Sequence, residues 1–272
     1  GVIRPFLMND EEKANAPESL ETIPARGKKV KGYHYALEIS PLDCTGCYNC
    51  VDVCPTKEKS LVMKPLDEKR YKQEEWDWVV ENVPYRDDLM PKEKSIIGSQ
   101  FAQPMLEFHG ACAGCGETPY VKLATQLFGD RMMIANATGC SSIWGGSAPS
   151  TVYTTNAKGQ GPAWANSLFE DNGEYGFGMV LGVNKMRDRI KLRMEAAMNN
   201  GIADETKAVF QEWIDAKEDQ EKSREVSDRV IAACEKENSK EAKEILDLKQ
   251  YLVKKSVWAV GGDGWAYDIG YG

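Results

Sequence analysis

Four cysteines follow one another as Cys44, Cys47, Cys50 and Cys54, with Pro55 directly behind the last, a C-x2-C-x2-C-x3-C-P run. At this spacing three thiolates can converge on one face of an iron-sulfur cube, while the fourth swings away after a helical turn that the proline ends. A zinc knot is the competing reading. Zinc sites, however, use paired C-x2-C sets or C-x2-C with histidine, and no histidine follows Cys54 within twenty residues. In proteins with two clusters, the fourth cysteine of such a run ligates the other cluster. Only one run is present, so Cys44, Cys47 and Cys50 require a fourth thiolate from outside this sequence, and Cys54 requires three.

A second set lies in Phe108-His109-Gly110-Ala111-Cys112-Ala113-Gly114-Cys115-Gly116. Its glycine-rich backbone offers amides to cluster sulfides, as iron-sulfur sites require. Cys140 is the next cysteine along, which makes an incomplete tetrad. Taken alone, Cys112 and Cys115 also suit half a zinc ribbon or a C-x-x-C redox pair. His109 reads as a hydrogen-bonding scaffold residue rather than a ligand. A third feature is Gly262-Asp263-Gly264 behind the apolar run Ser256–Val260. Magnesium takes a carboxylate together with diphosphate oxygens, and flanking glycines let phosphate approach the backbone. Strand, GDG and helix make a thiamine diphosphate half-signature, although tight turns use the same residues.

These residues need elements to hold them. Tyr33, Tyr35, Leu37 and Ile39 alternate with His34, Ala36, Glu38 and Ser40, the period of a half-buried strand over 32–40, and His34 then points to solvent. Residues 60–63 read as a second strand after the cysteine loop. Residues 1–31 read as a short apolar start followed by loop, with a solvated basic cluster at Lys28, Lys29 and Lys31. Residues 67–82 form an amphipathic helix with Trp76, Val79 and Val80 on one side and Trp78 away from it, and Pro84 ends it. Charges and prolines without period over 85–105 suggest the domain boundary. Thr118 as N-cap, Pro119 in the first turn and a stop at Gly129 define the next helix. A strand over 131–135 then runs into the small-residue loop at Cys140, where α/β folds place ligands. Residues 151–161 read as an ordered loop. Gly176, Gly178 and Gly182 read as close-packing positions rather than a nucleotide loop. Residues 203–250 form a charged helical insertion with Val209, Phe210, Trp213 and Ile214 on its apolar face, and Cys234 is a packed residue within it.

A chain of 272 residues suggests about two domains. Its net charge of -8 disfavours nucleic acid and an anionic membrane surface as partners. No apolar run is long enough to span a bilayer, and the first residues lack signal-peptide blocks. Cysteines in metal-ligand spacing read as reduced thiolates rather than disulfides, with the cytoplasm as the default compartment. The missing initiator Met and the end at Gly272 suggest a piece of something longer.

Taken in order, Cys44–Pro55, Glu107–Pro119, Thr138–Gly145 and Gly261–Gly270 closely resemble the pyruvate:ferredoxin (flavodoxin) oxidoreductase family, across essentially the whole chain. The resemblance implies an internal segment of a longer enzyme. Residues 1–90 would be the second half of an α+β ferredoxin-like domain with its linker. Residues 91–272 would begin an α/β thiamine diphosphate-binding domain carrying the helical insertion. It further implies that Cys112, Cys115 and Cys140 ligate a proximal 4Fe-4S cluster. Glu117 and the backbone at Cys140 would lie against thiamine diphosphate, Asp263 would bind Mg2+, and Gly262, Gly264 and Trp265 would line the diphosphate. Family features place the first cysteine run upstream of Gly1. They place a fourth proximal ligand and a magnesium-binding Asn downstream of Gly272. The glutamate that activates the cofactor and the residues that hold pyruvate lie in another domain, so no catalytic acid or base is assigned here. The implied reaction oxidatively decarboxylates pyruvate with coenzyme A to acetyl-CoA and CO2. Electrons leave singly through 4Fe-4S clusters to ferredoxin or flavodoxin, in a homodimeric enzyme of which this chain alone is inactive. The alternatives are an iron-sulfur electron carrier without thiamine chemistry, a zinc-stabilised interaction module, and an oxidoreductase for another 2-oxo acid.

Overall fold

The computed structural model describes residues 2–147 and 150–269. The chain divides into two compact units, one running to Asp130 and including 143–161, the other formed by 131–142 and the chain from Pro162 onward.

The first unit is built on a small antiparallel sheet. Its strands are β1 (Ile3–Met8), β2 (Ile23–Pro24) and β3 (His34–Ile39), in the order β1-β3-β2, and Ile3 pairs with Ile39 and Met8 with His34. Between β1 and β2 lies α1 (Asp10–Asn15), started by a capping box in which Asn9 Oδ1 accepts from the Glu12 amide and Glu12 accepts from the Asn9 amide, both at 2.8 Å. β1 and α1 replace the loop read over 1–31. The signals were there, an apolar run and an N-x-x-E cap, but neither reaches the length at which periodicity decides.

β3 is central in the sheet, and side chains pack against it from both faces. On one side Ala36 packs with Phe6, Met8, Trp76 and Val79, and Phe6 meets Trp76 edge to face at 6.2 Å. On the other, Tyr33 and Tyr35 lie against Leu7, Val30 and Phe101. Glu38 and Ser40, expected on the solvent face, are buried. His34 does face solvent, where Nε2 meets Asp10 at 2.9 Å.

After the cysteine loop with α2 (Asn49–Asp52), residues 60–63 are irregular, because β1 already occupies the edge of β3 where a second strand would pair. The helix expected over 67–82 is broken into α3 (Leu66–Lys69) and α4 (Lys72–Asn82). Trp76 and Val79 are buried, whereas Val80 is exposed and Trp78 packs partly against the core.

Packing draws its boundary at Asp130, later than the one read near residue 90. Over 96–106 the chain, including α5 (Ile96–Gln100), docks on α6 (Thr118–Phe128). Gln126 Nε2 donates to the Ser99 and Ala102 carbonyls at 3.0 Å, and Thr125 Oγ1 accepts from the Met105 amide. Buried backbone groups satisfied by another element's side chains tie a segment to that element. Glu117 rather than Thr118 occupies the N-cap position of α6, without a side-chain cap bond, and Thr118 is buried in the first turn. The helix stops at Gly129 as expected, with Gly129 as its C-cap at φ -55°, and Met105 packs where a side chain would stand.

The second unit has a parallel sheet in the order β5-β4-β6. Its elements in chain order are β4 (Met132–Ala137), α7 (Cys140–Ser142), β5 (Ala163–Ser167), α8 (Asn172–Asn199), α9 (Asp204–Ala216), α10 (Gln220–Lys236), α11 (Lys240–Asp247), β6 (Ser256–Val260) and α12 (Asp263–Asp268). β5 was not foreseen, since Ala163–Ser167 carries only one bulky apolar side chain. α8 crosses the sheet with Gly176, where an added Cβ would lie 3.4 Å from that of Ala135. Gly178 and Gly182, expected to permit close packing, have no neighbour within 4 Å of such a Cβ.

α8 continues into the helical layer. Ile190 and Met194 pack with Phe210 and Trp213 of α9, Val226, Val230 and Cys234 of α10, Ile245 of α11, and Leu252. Each fully buried large side chain there contributes about 1.5–3 kcal/mol. Arg187, 1 % exposed, lies 5.3 Å over the Trp213 ring and donates to the carbonyls of Tyr251, Leu252 and Lys217. Three carbonyl acceptors satisfy a guanidinium that burial pulls down to about 10. Among the described residues, no helix is long and apolar enough to cross a membrane.

Candidate functional site

The first cysteine run follows the end of β3. Gly46 and Tyr48 adopt positive φ, 68° and 65°, which turns the chain sharply around Cys47 before α2 carries Cys50. Cys44 and Cys47 are exposed, and Cys50 and Cys54 are partly buried. Cys44 and Cys50 line a cavity of about 540 Å³ whose walls include Ile3, Ile39, Leu61, Val62 and Met63. An apolar pocket beside thiolates is the low-dielectric setting that iron-sulfur clusters occupy, so these residues fit such a group.

Cys54 lies beyond the end of α2. Its sulfur is 3.2 Å from Thr56 Oγ1 and accepts from the Ser60 amide at 3.3 Å. The Thr56 contact, with help from backbone amides, pulls this thiol down to about 6. Lys59 closes the turn by donating to the Asp52 and Cys54 carbonyls. Hydrogen bonds to a cysteine sulfur favour the thiolate, the form that binds metal.

Cys112 and Cys115 close a β-turn, with the Cys115 amide donating to the Cys112 carbonyl at 3.0 Å. Gly114 is required there twice over. Its φ is 72°, and an added Cβ would stand 3.1 Å from Asn49 Nδ2. The second cysteine loop therefore touches the turn between Cys47 and Cys50, a proximity that nothing in the sequence signalled. His109 acts as scaffold, as expected. Its Nδ1 accepts from the Ala111 amide at 3.3 Å, its ring lies 6.0 Å from that of Trp144, and burial keeps it below the usual histidine range. Glu117, partly buried, stands at the N-cap position of α6, and its charge adds to burial in pushing the Tyr153 phenol up. Among the described residues, no three His, Cys, Asp or Glu side chains are grouped to hold a single metal ion.

Cys140 belongs to the second unit, at the end of β4. Because β4, β5 and β6 are parallel, their C-terminal ends share one sheet edge, where an open α/β sheet binds ligands. The Thr138–Ser142 loop follows β4, and Gly261, Gly262 and Asp263 follow β6 directly beside it. An added Cβ at Gly261 would lie 2.7 Å from the Trp265 ring and 3.0 Å from the Ala137 Cβ, so only glycine permits this approach. Trp265 thus folds back over the turn. Gly262 has open space around it, an added Cβ at Gly264 would lie 3.7 Å from the Phe169 ring, and Asp263 is exposed at the start of α12. An exposed carboxylate beside an uncrowded glycine is a donor set that suits magnesium and a diphosphate.

Beneath this edge lies a polar core that motif reading did not find. Asn136 and Asn172 are fully buried. Asn136 Nδ2 donates toward the Ala137 carbonyl at 3.0 Å, Ser141 Oγ at 2.9 Å and the Val260 carbonyl at 3.2 Å, while its Oδ1 accepts from Trp164 Nε1 at 2.9 Å. Asn172 Nδ2 reaches the same Val260 carbonyl at 3.3 Å, and its Oδ1 accepts from Ser167 Oγ at 2.8 Å. The available signal was an Asn inside an otherwise apolar strand, which cannot be buried without partners.

A family model described as a 4Fe-4S binding domain matches residues 37–57, the span of the first cysteine run. Over 99 % of its length the chain is 52 % identical to the pyruvate:ferredoxin oxidoreductase of Moorella thermoacetica, covering 24 % of that protein. Identity is 52 % to the pyruvate-flavodoxin oxidoreductase of Klebsiella pneumoniae and 50 % to that of Enterobacter agglomerans, again over 99 % of the chain and 23 % of each relative. The chain spans about a quarter of the length of the curated relatives it matches. Four cysteine-rich and glycine-rich motifs on two compact units thus fall within a chain that, along nearly all its length, is closely related to one quarter of the pyruvate:ferredoxin and pyruvate-flavodoxin oxidoreductases.

Proposed function

We propose that the chain is the segment of a pyruvate:ferredoxin (flavodoxin) oxidoreductase that holds part of the thiamine diphosphate site and part of the electron exit. The observation that carries this reading is the adjacency of β4 and β6. Two parallel neighbours deliver the Cys140 loop and the Asp263 loop to one sheet edge. In this reading the second unit contributes the start of a thiamine diphosphate-binding fold and the first unit part of a ferredoxin-like domain. When bound, thiamine diphosphate with its magnesium ion supplies the chemistry of 2-oxo acid decarboxylation. Asp263 offers one carboxylate to the metal, Gly262 leaves room for phosphate, and Trp265 fixes the turn from behind.

Cys112, Cys115 and Cys140 hold the proximal 4Fe-4S cluster. Cys44, Cys47 and Cys50 hold a second, and Cys54 contributes to a third. The contact of Gly114 with Asn49 supports a short route between the first two. Electrons leave along these centres singly to ferredoxin or flavodoxin, and coenzyme A takes the acyl group. All eight cysteines are free thiols, which suits a reducing compartment such as the cytoplasm.

Supplied with thiamine diphosphate, magnesium, pyruvate, coenzyme A and ferredoxin, the 272-residue chain is expected to reduce no viologen dye. Polypeptides that supply the remainder of the enzyme and assemble with it should restore pyruvate-dependent reduction. Robust reduction by the chain alone would refute the segment reading. An assembled protein with absorbance at about 400 nm but no stabilisation by thiamine diphosphate would point to an electron carrier instead.

A further inference from the structure

We propose that Asn136 is a positioning residue that ties the Cys140 loop to the Asp263 loop, so that the cluster ligand and the magnesium carboxylate keep a fixed separation. The inference rests on the functional reading above for the identity of the two groups, but not for the joint itself.

The joint is visible in the hydrogen bonds. The Trp164 indole can only donate, so the Asn136 oxygen must face it and both amide protons face the other way. Those two protons serve three acceptors: the Ala137 carbonyl, Ser141 Oγ directly after Cys140, and the Val260 carbonyl directly before Gly261. One carboxamide therefore reaches the start of each functional loop and both neighbouring strands. Hydrophobic packing alone would leave these loops free to shift along the sheet edge, whereas a buried amide with all its partners in place has a single satisfied arrangement. Of the two loops, Asn172 bonds directly only toward the Asp263 side. Its amide meets the Val260 carbonyl, and its oxygen is held by Ser167 of β5, with no bond to the Cys140 loop among the described residues. Ser141 reinforces only the other side.

That asymmetry supplies the test, made in the full-length enzyme with three variants. Ser141→Ala removes the arm to the Cys140 loop, Asn172→Ala removes an arm to β6, and Asn136→Asp keeps the acceptor for Trp164 but loses at least one donor, since a carboxyl group carries at most one proton. Peptide-resolved hydrogen exchange reads the joint without reference to any cofactor. Faster exchange is expected over 138–142 alone in Ser141→Ala, over 261–268 alone in Asn172→Ala, and over both in Asn136→Asp. Calorimetric titration with thiamine diphosphate and magnesium should show roughly tenfold to hundredfold weaker binding in Asn136→Asp and Asn172→Ala, and a smaller loss in Ser141→Ala, whose loop lends the cofactor only the backbone at Cys140. The electron paramagnetic resonance signal of the reduced cluster nearest the thiamine should change in Asn136→Asp and Ser141→Ala only. Equal disturbance of both segments by all three variants would overturn the proposal, as would Asn136→Asp with both readouts unaltered. A wild-type enzyme that binds no thiamine diphosphate would sink the functional reading instead, and the exchange pattern would still decide the joint.

Discussion

Between residues 41 and 64 the chain carries one short helix and no fully buried side chain, while between 204 and 252 Phe210, Trp213, Val230 and Ile245 have no exposed surface at all. The helical layer is held by apolar contacts repeated at helical spacing, and needs no ligand to order it. In the cysteine segment the internal bonds are mostly local, among them those of Thr56 and Ser60 to Cys54, those of Lys59 to two carbonyls, and a turn through Tyr48 at positive φ. In the proposed function, metal-thiolate bonds would stand in for a hydrophobic core there, and binding free energy would become local folding free energy. Chemistry and stability are thus assigned to different stretches of one polypeptide, as local differences in opening free energy allow.

The sharpest way to break this contrast is to remove the iron. Chelation under reducing conditions should abolish hydrogen-exchange protection over 41–64 and leave 204–252 as it was. Equal loss in both would mean that the two regions fold as one unit and that the contrast is false.

Trp213→Ala works from the other side. It removes a fully buried ring, its bond to the Leu252 carbonyl at 3.0 Å and the surface under Arg187. The opening free energy of α9–α11 should fall by about 3–5 kcal/mol. Absorbance at about 400 nm should not change, and a parallel loss of cluster would count against independent support.

A smaller effect sharpens what supports the sheet next to the cysteines. Burial, against the opposing charge of Lys72, lifts Glu38 from 4.5 to about 7. Between these values the unfolded chain releases a proton that the folded chain keeps, so stability falls as pH rises through the window and is fully regained below it. With allowance for solvent screening, the drop is about 2 kcal/mol. Glu38→Gln should flatten that slope for β1 and β3 and leave α9–α11 untouched. A slope that persists in the variant would assign it to another group.

The smallest test concerns a cap. Ser239 Oγ accepts from the Ala242 amide at 3.1 Å, and Ser239→Ala should cost α11 about 1 kcal/mol of local stability, read as faster exchange over 240–247. If the cysteine segment responded as well, the helical layer would not be independent of it.

The sequence by itself determined which residues are candidates for the chemistry, because metal ligation and phosphate approach depend on residue type at short spacing. Cys44 through Cys54, the Cys112–Cys115 turn and the Gly-Asp-Gly after β6 were legible for that reason, as were the apolar face of α9 and the packed Cys234. Short elements were less legible. β5 has too few apolar residues to announce a strand, and α1 is too short for a period. What only the tertiary structure decided is which segments lie side by side. Glu38 is buried because β3 lies between two strands and under α4. Residues 96–106 belong to the first unit because Gln126 and Thr125 satisfy their backbone. Gly114 is fixed by Asn49, 65 positions earlier in the chain. The joint at Asn136 exists because parallel pairing brings Val260 beside it, 124 residues along the chain. Such contacts depend on pairing and packing between distant segments, and no local pattern of residue types encodes them.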